Sequence, residues 1–345
     1  MESLTDKIQS GAFLSAEDIR AAAEMLLDES LSIESKAEFL TSFSQRGETA
    51  EEIALFAEEF LTRSVDPKIS KSSTDRPLID VCGTGGDKLD LFNVSTTSVF
   101  ILAAGGLAVV KHGNRGITSK SGGADVLESL GIRIDLPPED ISRCLDEVGA
   151  AFLFAQMYHP TFKSVAPVRK LLAERGQRTM FNLLGPLLNP ARPEYQLIGV
   201  FDPAAGPKFA EILKKLGRKR AWTVHGTTET GAGMDEISNL GLTHVWSTDP
   251  DDTVESTLQP ENLDIGPASL SDLVGGDAEE NAEILVSILS GSEQGPKRDL
   301  VALNAAAGFA IAGIVENINA GLSLARETID SGKALAVLRK WQEFS

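Results

Sequence analysis

The sequence predicts an α/β protein: a small all-helical domain plus a larger doubly wound α/β domain built on a mainly parallel sheet. Three observations predict this. Apolar residues recur at helical spacing through the first seventy-odd positions. From residue 78 onward, short apolar strands alternate with helices. Glycine-rich stretches fall where strands hand over to helices.

The N-terminal helices come first. "SAEDIRAAAEMLL" (15–27) sets Ile19, Ala22, Ala23, Leu26 and Leu27 on one stripe, with Ser15 as N-cap. "TAEEIALFAEEFL" (49–61) repeats the pattern with Ile53, Phe56, Ala57, Phe60 and Leu61, and Thr49 with Glu52 forms a capping-box signature. A shorter helix over 33–44 stops near Gly47. The polar stretch "DPKISKSSTDRP" (66–77) reads as a linker.

Next comes "LIDVC" (78–82), a short strand, followed by the helix "VSTTSVFILAA" (94–104) and the strand "LAVV" (107–110). A βαβ unit of this kind implies parallel strands and a right-handed crossover. The alternation continues with helices at 124–130 and 138–148, strands at 151–154 and 195–200, a helix at 206–216 and a strand at 221–225. The segment 160–184 is helix-rich. The acidic region 248–280 is the least patterned, and "LVALNAAAGFAIAGIVENI" reads as a small-residue helix made for close packing.

The composition sets limits. A chain of 345 residues with 42% hydrophobic content can bury a large core. No stretch of about 18 apolar residues offers a membrane span, and the first residues carry no signal-peptide pattern. Two cysteines, Cys82 and Cys144, are too few for a disulfide framework and suit a reducing, cytoplasmic setting. A net charge of −18 disfavours nucleic acid and anionic membranes. An anionic ligand then needs backbone donors, focused cations or a bridging metal.

Three loops supply such features. "CGTGGDKLDLFNVST" (82–96) lies between a strand and a helix. Its glycines let a ligand approach backbone N–H groups, the helix start offers a positive dipole end, and Ser95 and Thr96 add hydroxyls. It is no dinucleotide fingerprint, since Lys88 occupies the third glycine position, and it is no Walker loop. A tight βα turn without a ligand is the plain alternative. "VVKHGNRGITSKSGGADVLESLG" (109–131) packs Lys111, His112, Asn114, Arg115 and Lys120 among glycines and serines, which fits a polyphosphate better than a helix face. "VHGTTETGAGMDEIS" (224–238) carries adjacent acids, Asp235 and Glu236. Taken alone they suit a helix N-terminus. Beside two phosphate-type loops they suit Mg²⁺.

These motifs, with "HP" and "PVR" (159–169) and "RTMFNLLGPLLNP" (178–190), resemble the anthranilate phosphoribosyltransferase family over nearly the whole chain. The resemblance implies a small helical domain from 1–72 and about 165–190, and a large phosphoribosyl-binding domain from about 76–164 and 191–345. It implies transfer of the phosphoribosyl group of phosphoribosyl pyrophosphate to the amine of anthranilate, a step of tryptophan biosynthesis. It also implies a homodimer joined through the helical domain. Residue by residue, it implies that Gly83, Gly86, Asp87, Asn93, Ser95, Thr96, Lys111, His112, Gly113, Asn114, Arg115 and Ser119 contact phosphoribosyl pyrophosphate. Gly83, Asn114, Arg169 and His112 line the anthranilate path. Ser95, Asp235 and Glu236 hold Mg²⁺. No residue is assigned as general base, because an aromatic amine is neutral at pH 7 and positioning can supply much of the rate. His159 and His225 read as core histidines.

The chain departs from the family pattern at a few places. Leu91 and Gly123 each stand where a hydroxyl residue is usual, Thr161-Phe162 follows "HP" where Ala-Met is commoner, and the 169–179 segment is longer. The first two point to weaker phosphoribosyl pyrophosphate binding. The last bears on the acceptor. Two rivals stand beside this reading. One is a related phosphoribosyltransferase or pyrimidine nucleoside phosphorylase with another acceptor. The other is a non-catalytic nucleic-acid-binding paralogue, for which Lys208, Lys214, Lys215, Arg218, Lys219 and Arg220 would be the basic stretch.

Overall fold

Capping chemistry starts the N-terminal bundle in this computed structural model, which describes residues 1–69, 75–116 and 120–344. Helices α1 (Glu2–Gln9), α2 (Ala16–Leu27), α3 (Ile33–Arg46) and α4 (Ala50–Leu61) follow in order. Ser15 and Thr49 both form full capping boxes, with Asp18 and Glu52 as the reciprocal carboxylates. Glu52 also does long-range work. It accepts from the Leu14 N–H at 2.9 Å and pairs with Arg46 at 2.5 Å, both side chains being almost fully buried. Burial pushes the Glu52 pKa up, but Arg46 and the surrounding N–H and hydroxyl donors outweigh it and hold the carboxyl below its ordinary value.

The larger part follows in the order β1 (Leu78–Gly83), α5 (Val94–Ala104), β2 (Ala108–Gly113), α6 (Gly123–Ser129), α7 (Pro138–Glu147) and β3 (Ala150–Phe154). The short α8 (Ala155–Tyr158), then α9 (Ala166–Glu174) and α10 (Phe181–Leu184), lead to β4 (Tyr195–Gly199), α11 (Gly206–Lys215) and β5 (Arg220–Thr227). The chain closes with β6 (Gly233–Met234), β7 (Thr243–Thr248), β8 (Thr253–Leu258), α12 (Leu270–Leu273), α13 (Ala278–Leu289), α14 (Pro296–Ile311), α15 (Ile318–Asp330) and α16 (Lys333–Glu343).

The sheet runs β3-β2-β1-β4-β5-β7-β8, with β6 paired to β5. The first five strands are parallel, and β7 and β8 add antiparallel to one side. The order reverses between β1 and β4, so their carboxyl ends flank the switch point where ligands bind in open α/β sheets. The register there sets Gly83 opposite Gly199.

Each sheet face has its own core. Ile79, Val81 and Leu197 pack with α5, α14, α15 and α16. Ile198 and Val200 face the other way, onto α11, the N-terminal bundle and Val165 through Leu188. Helix α5 is buried on nearly every side, so it shows no single apolar stripe, and its Thr97 and Ser98 hydroxyls bond back to the Asn93 and Val94 carbonyls. Small residues permit this packing. A Cβ on Gly308 would stand 2.6 Å from Leu102, and one on Gly321 would stand 2.5 Å from the Ala306 carbonyl oxygen.

Strands β7 and β8 and helices α13, α15 and α16 go beyond the sequence reading. In β8 nearly every side chain is exposed, so no alternating burial marks the segment. No helix among the described residues is long and apolar enough to cross a membrane.

Replacing Glu52 by Ala leaves Arg46 buried and unpaired. It is expected to lower the unfolding free energy by about 3 kcal/mol. Urea unfolding followed by circular dichroism reads this directly, and a loss below about 1 kcal/mol would mean the pair does not organise the bundle.

Candidate active site at the strand switch point

The glycine loop leaves β1 and turns over the sheet edge. Gly85 and Gly86 adopt left-handed φ of +68° and +93°. A Cβ on Gly86 would reach the Phe201 ring at 3.3 Å. Lys88 and Asp90 hold φ of +60° and +53°, which is costly for side-chain-bearing residues, and such strain concentrates at functional loops. The loop then enters α5, whose first-turn N–H groups face the site.

Asp235 lies above the switch point. A Cβ on Gly83 would meet its Oδ2 at 2.2 Å, and one on Gly199 would meet its carbonyl oxygen at 1.6 Å. The two facing glycines therefore make the space that Asp235 occupies. Its carboxylate accepts from the Gly85 N–H at 2.7 Å. Burial, then the nearby Asp87 carboxylate, push Asp235 up to about 7. Burial and Asp235 together raise Glu236 well above its ordinary value, against Lys111 and the Ser95 backbone, which pull it down.

Lys111 comes from β2 and is buried. Its Nζ donates to the Val81 carbonyl at 2.7 Å and the Ser95 hydroxyl at 3.1 Å. It thus ties β2 to the start of α5 below the acids. Thr96 is buried behind Ser95, and a Cβ on Gly123 would sit 3.0 Å from its hydroxyl. A side chain at position 123 therefore needs the Thr96 hydroxyl to give way slightly.

The second loop is drawn into a hook. Asp125 accepts from the N–H groups of Gly116 and Gly122, both at 2.8 Å. Arg115 pairs with Glu128 and Asp125, so its charge is engaged on α6. Asn114 accepts from the Arg115 N–H at 2.9 Å. Gly113 ends β2 against the Phe152 ring, where a Cβ would come within 2.9 Å. Ser119 lies outside the described residues.

From His112 a row of rings leads away from the glycine loop. His112 stands 5.3 Å from His159, His159 stands 5.2 Å from Phe162, and Phe162 stands 6.0 Å from Phe181. The Arg169 guanidinium caps the row, 5.7 Å from the Phe181 ring. Arg169 has no carboxylate partner among the described residues, and the surrounding protein lowers its pKa. Burial, with His159 second, lowers His112 to about 3, so its imidazole is neutral at pH 7. His112 Nε2 has no hydrogen-bond partner among the described residues. His159 and His225 are buried and held by the carbonyls of Leu188 and Val200.

Two supporting asparagines lie outside the sequence-predicted set. Asn304 on α14 holds Ile237 through both backbone groups, at 2.9 and 3.0 Å, and so fixes the residue after the two acids. Asn281 on α13 bonds Asn93 and Ser121. Asn304 was visible only as a polar break in a small-residue helix. Asn281 carried no signal of its own, because its partners Asn93 and Ser121 lie far away in sequence.

The donor set fits a hard cation. Among the described residues no group of three or more His, Cys, Asp or Glu side chains is placed to hold a metal alone. Mg²⁺ rarely needs one, because it takes one or two carboxylates and completes its shell with water and phosphate oxygens. Asp235 and Glu236 supply crowded negative charge of the kind a divalent cation relieves.

Four of the six cations in the basic stretch on and after α11 are engaged within the protein. Lys214 bonds the Asp251 carbonyl, Lys215 pairs with Glu51, Arg218 is buried against Gln196, and Arg220 bonds the Ala310 carbonyl.

A raised pKa makes stability fall as pH climbs through it. The Asp235 contribution is complete below about pH 4 and is lost as pH rises through about 7. Asp235→Asn should therefore melt higher than wild type near pH 8 with chelator present, and the difference should shrink toward about pH 4. Calorimetry at two pH values tests this; a lower melting temperature for the variant at pH 8 refutes it.

Comparison with known proteins agrees with this geometry. Residues 2–64 match the model of the glycosyl transferase family helical bundle domain, and residues 75–335 match that of its a/b domain. The chain is 44% identical to the anthranilate phosphoribosyltransferase of Petrotoga mobilis, covering 98% of this chain and 95% of the relative. It is also 44% identical to that of Symbiobacterium thermophilum, covering 100% and 98%. The crystal structure of the Thermus thermophilus anthranilate phosphoribosyltransferase superposes with a TM-score of 0.89 at 40% identity, covering 99% and 98%. The Saccharomyces cerevisiae enzyme, in complex with PRPP and Mg, superposes with a TM-score of 0.86 at 28% identity, covering 99% and 96%. The chain belongs to the anthranilate phosphoribosyltransferase family.

Proposed function

We propose that the chain transfers the phosphoribosyl group of phosphoribosyl pyrophosphate to the amine of anthranilate, giving N-(5-phosphoribosyl)anthranilate and pyrophosphate in tryptophan biosynthesis. The observation that carries this reading is the convergence at the β1/β4 switch point. A glycine loop, the α5 N-terminus, Lys111 and two adjacent acids meet there, and a ring-lined path leads from them to Arg169, which has no acid partner among the described residues.

The amine nitrogen forms a bond to ribose C1 as the C1–oxygen bond to pyrophosphate breaks. Positive charge grows on the ribose and negative charge on the leaving group. In our reading Gly83, Gly86, Asp87, Asn93, Ser95 and Thr96 bind phosphoribosyl pyrophosphate through backbone N–H, hydroxyl and amide groups. Lys111, His112, Gly113, Asn114, Arg115 and Ser119 close the other side. Lys111 sits where its ammonium steadies the departing charge. Ser95, Asp235 and Glu236 hold Mg²⁺, which supplies charge neutralisation to the pyrophosphate.

Arg169 pairs with the anthranilate carboxylate through its planar fork, and Gly83, Asn114 and His112 line the approach. The row from His112 to Phe181 gives an aromatic ring flat apolar company. A His112 held near pKa 3 is a poor base but a usable hydrogen-bonding group. We assign no general base.

The helical bundle carries the homodimer contact in this reading. Phe13 and Ile33 there are 64% and 40% exposed, apolar surface that a second copy would cover. The free thiols Cys82 and Cys144 suit the cytoplasm.

Loss of anthranilate fluorescence with phosphoribosyl pyrophosphate tests the reaction. The wild type should require Mg²⁺, and the Asp235→Asn/Glu236→Gln pair should lose roughly 10²–10³-fold in kcat/KM. Wild type without Mg²⁺-dependent loss would refute the acceptor or the metal site. Arg169→Ala should raise the anthranilate KM roughly tenfold to hundredfold while the phosphoribosyl pyrophosphate KM stays within about twofold. Equal changes in both KM values would remove Arg169 from the carboxylate.

A further inference from the structure

Asn281 is 3% exposed and sits in the first turn of α13, far in sequence from any loop assigned to the ligand. Its amide orientation is set locally. Oδ1 accepts from the Gly276 N–H at 2.8 Å, so Nδ2 faces away from it. That nitrogen stands 2.9 Å from Asn93 Oδ1, 3.0 Å from the Ser121 hydroxyl and 3.2 Å from the Gly276 carbonyl.

The consequence falls on Asn93, the N-cap residue of α5. Its Oδ1 already receives the Asn281 amide and, at 2.9 Å, the Ser121 hydroxyl. Both of its acceptor positions are taken. The Asn93 amide cannot flip without setting N–H against N–H. Its Nδ2 must point the other way and stands 3.4 Å from the Ser121 carbonyl oxygen, which leaves its second N–H without a partner among the described residues. Asn93 caps none of its own helix N–H groups. Its side chain is thus held for some other acceptor.

The backbone makes this arrangement possible. A Cβ on Gly275 would stand 2.5 Å from Asn281 Oδ1 and 2.6 Å from Phe92 Cα. The Gly275 N–H donates to the Asp90 carbonyl at 2.8 Å, and Leu91 bridges to Val274. The 274–281 segment is therefore the rear support of the 90–93 loop.

We infer that Asn281 is a positioning residue for phosphoribosyl pyrophosphate: its amide fixes the flip of Asn93 and so presents an Asn93 N–H to a phosphate oxygen. The inference rests on the assignment of Asn93 to that ligand under the proposed function.

A double-mutant cycle tests it, using Asn281→Ala, Asn93→Ala and both together, with phosphoribosyl pyrophosphate as the probe. Kinetics give both KM values and kcat, and titration calorimetry gives the Kd without the acceptor. Asn281→Ala should weaken phosphoribosyl pyrophosphate binding about tenfold, with the anthranilate KM and kcat within about twofold. In the Asn93→Ala background the same change should cost less than about twofold, because its route is already gone. Asn281→Asp keeps the Gly276 bond and the side-chain shape but cannot donate. It should weaken binding likewise, and it carries the test if the alanine variant does not fold. Unchanged binding in Asn281→Ala, losses that multiply across the cycle, or equal losses for both substrates would each overturn the inference. If Asn93→Ala alone binds normally, the inference falls while the transfer reaction stands. If wild type binds phosphoribosyl pyrophosphate but transfers nothing to anthranilate, the acceptor reading falls, and the calorimetric cycle still decides Asn281.

Discussion

The site depends on two missing side chains. Gly83 and Gly199 face each other at the ends of β1 and β4, and Asp235 fills the space that their Cβ atoms would occupy. A sheet can bring a carboxylate this close to its own edge only where both neighbouring strands end without side chains. The cost is electrostatic: Asp235 is pressed against Asp87 and Glu236 in a poorly solvated corner and loses acidity. A fold tuned for stability alone would not leave these acids crowded together. Their crowding makes sense if a cation joins them when a polyphosphate binds.

The rest of the molecule keeps that corner rigid. Asn304 reaches from α14 to hold Ile237, and Lys111 links β1, β2 and α5 by two hydrogen bonds. Both come from elements sealed in one aliphatic core. Arg169 sits beside the other core, where Val165, Val168 and Phe181 pack with the N-terminal helices. Arg169 therefore rides on a different packed body from the glycine loop. The proposed site lies where two cores meet, and in the proposed reaction one would hold the phosphates and the other the carboxylate of the aromatic acid.

Much of this was legible in the sequence, for physical reasons. Helix α5 was placed residue for residue, because a polar start, an apolar run and a Gly-Gly stop all agree. The strands of the parallel sheet stood out as short apolar runs, since such strands are buried on both faces. Strand β8 did not, because its exposed side chains carry no alternation. Asp235 and Glu236 were found as an acidic pair, but the sequence showed nothing of the glycine pair beneath them, since register joins residues 83 and 199 only in the folded sheet. Asn281 was hidden for the same reason: its partners are 188 and 160 residues away.

The charge balance explains how so acidic a chain can serve an anionic ligand. With a net charge of −18, the global field opposes any polyphosphate. Two cations near the site are committed to acids: Arg115 to Glu128 and Asp125, and Lys120 to Asp90 at 3.3 Å. Lys111 is bonded to a carbonyl and a hydroxyl instead, and Arg169 to no acid among the described residues. These two cations stand on the two sides of the cleft, one for phosphate and one for carboxylate in the proposed reaction. Attraction is thus confined to points where orientation matters, and neutral donors such as Asn93 and the α5 N–H groups complete the cradle. Selectivity then rests on a few fixed donors and not on bulk charge, so any group that aims a neutral donor carries weight out of proportion to its own charge.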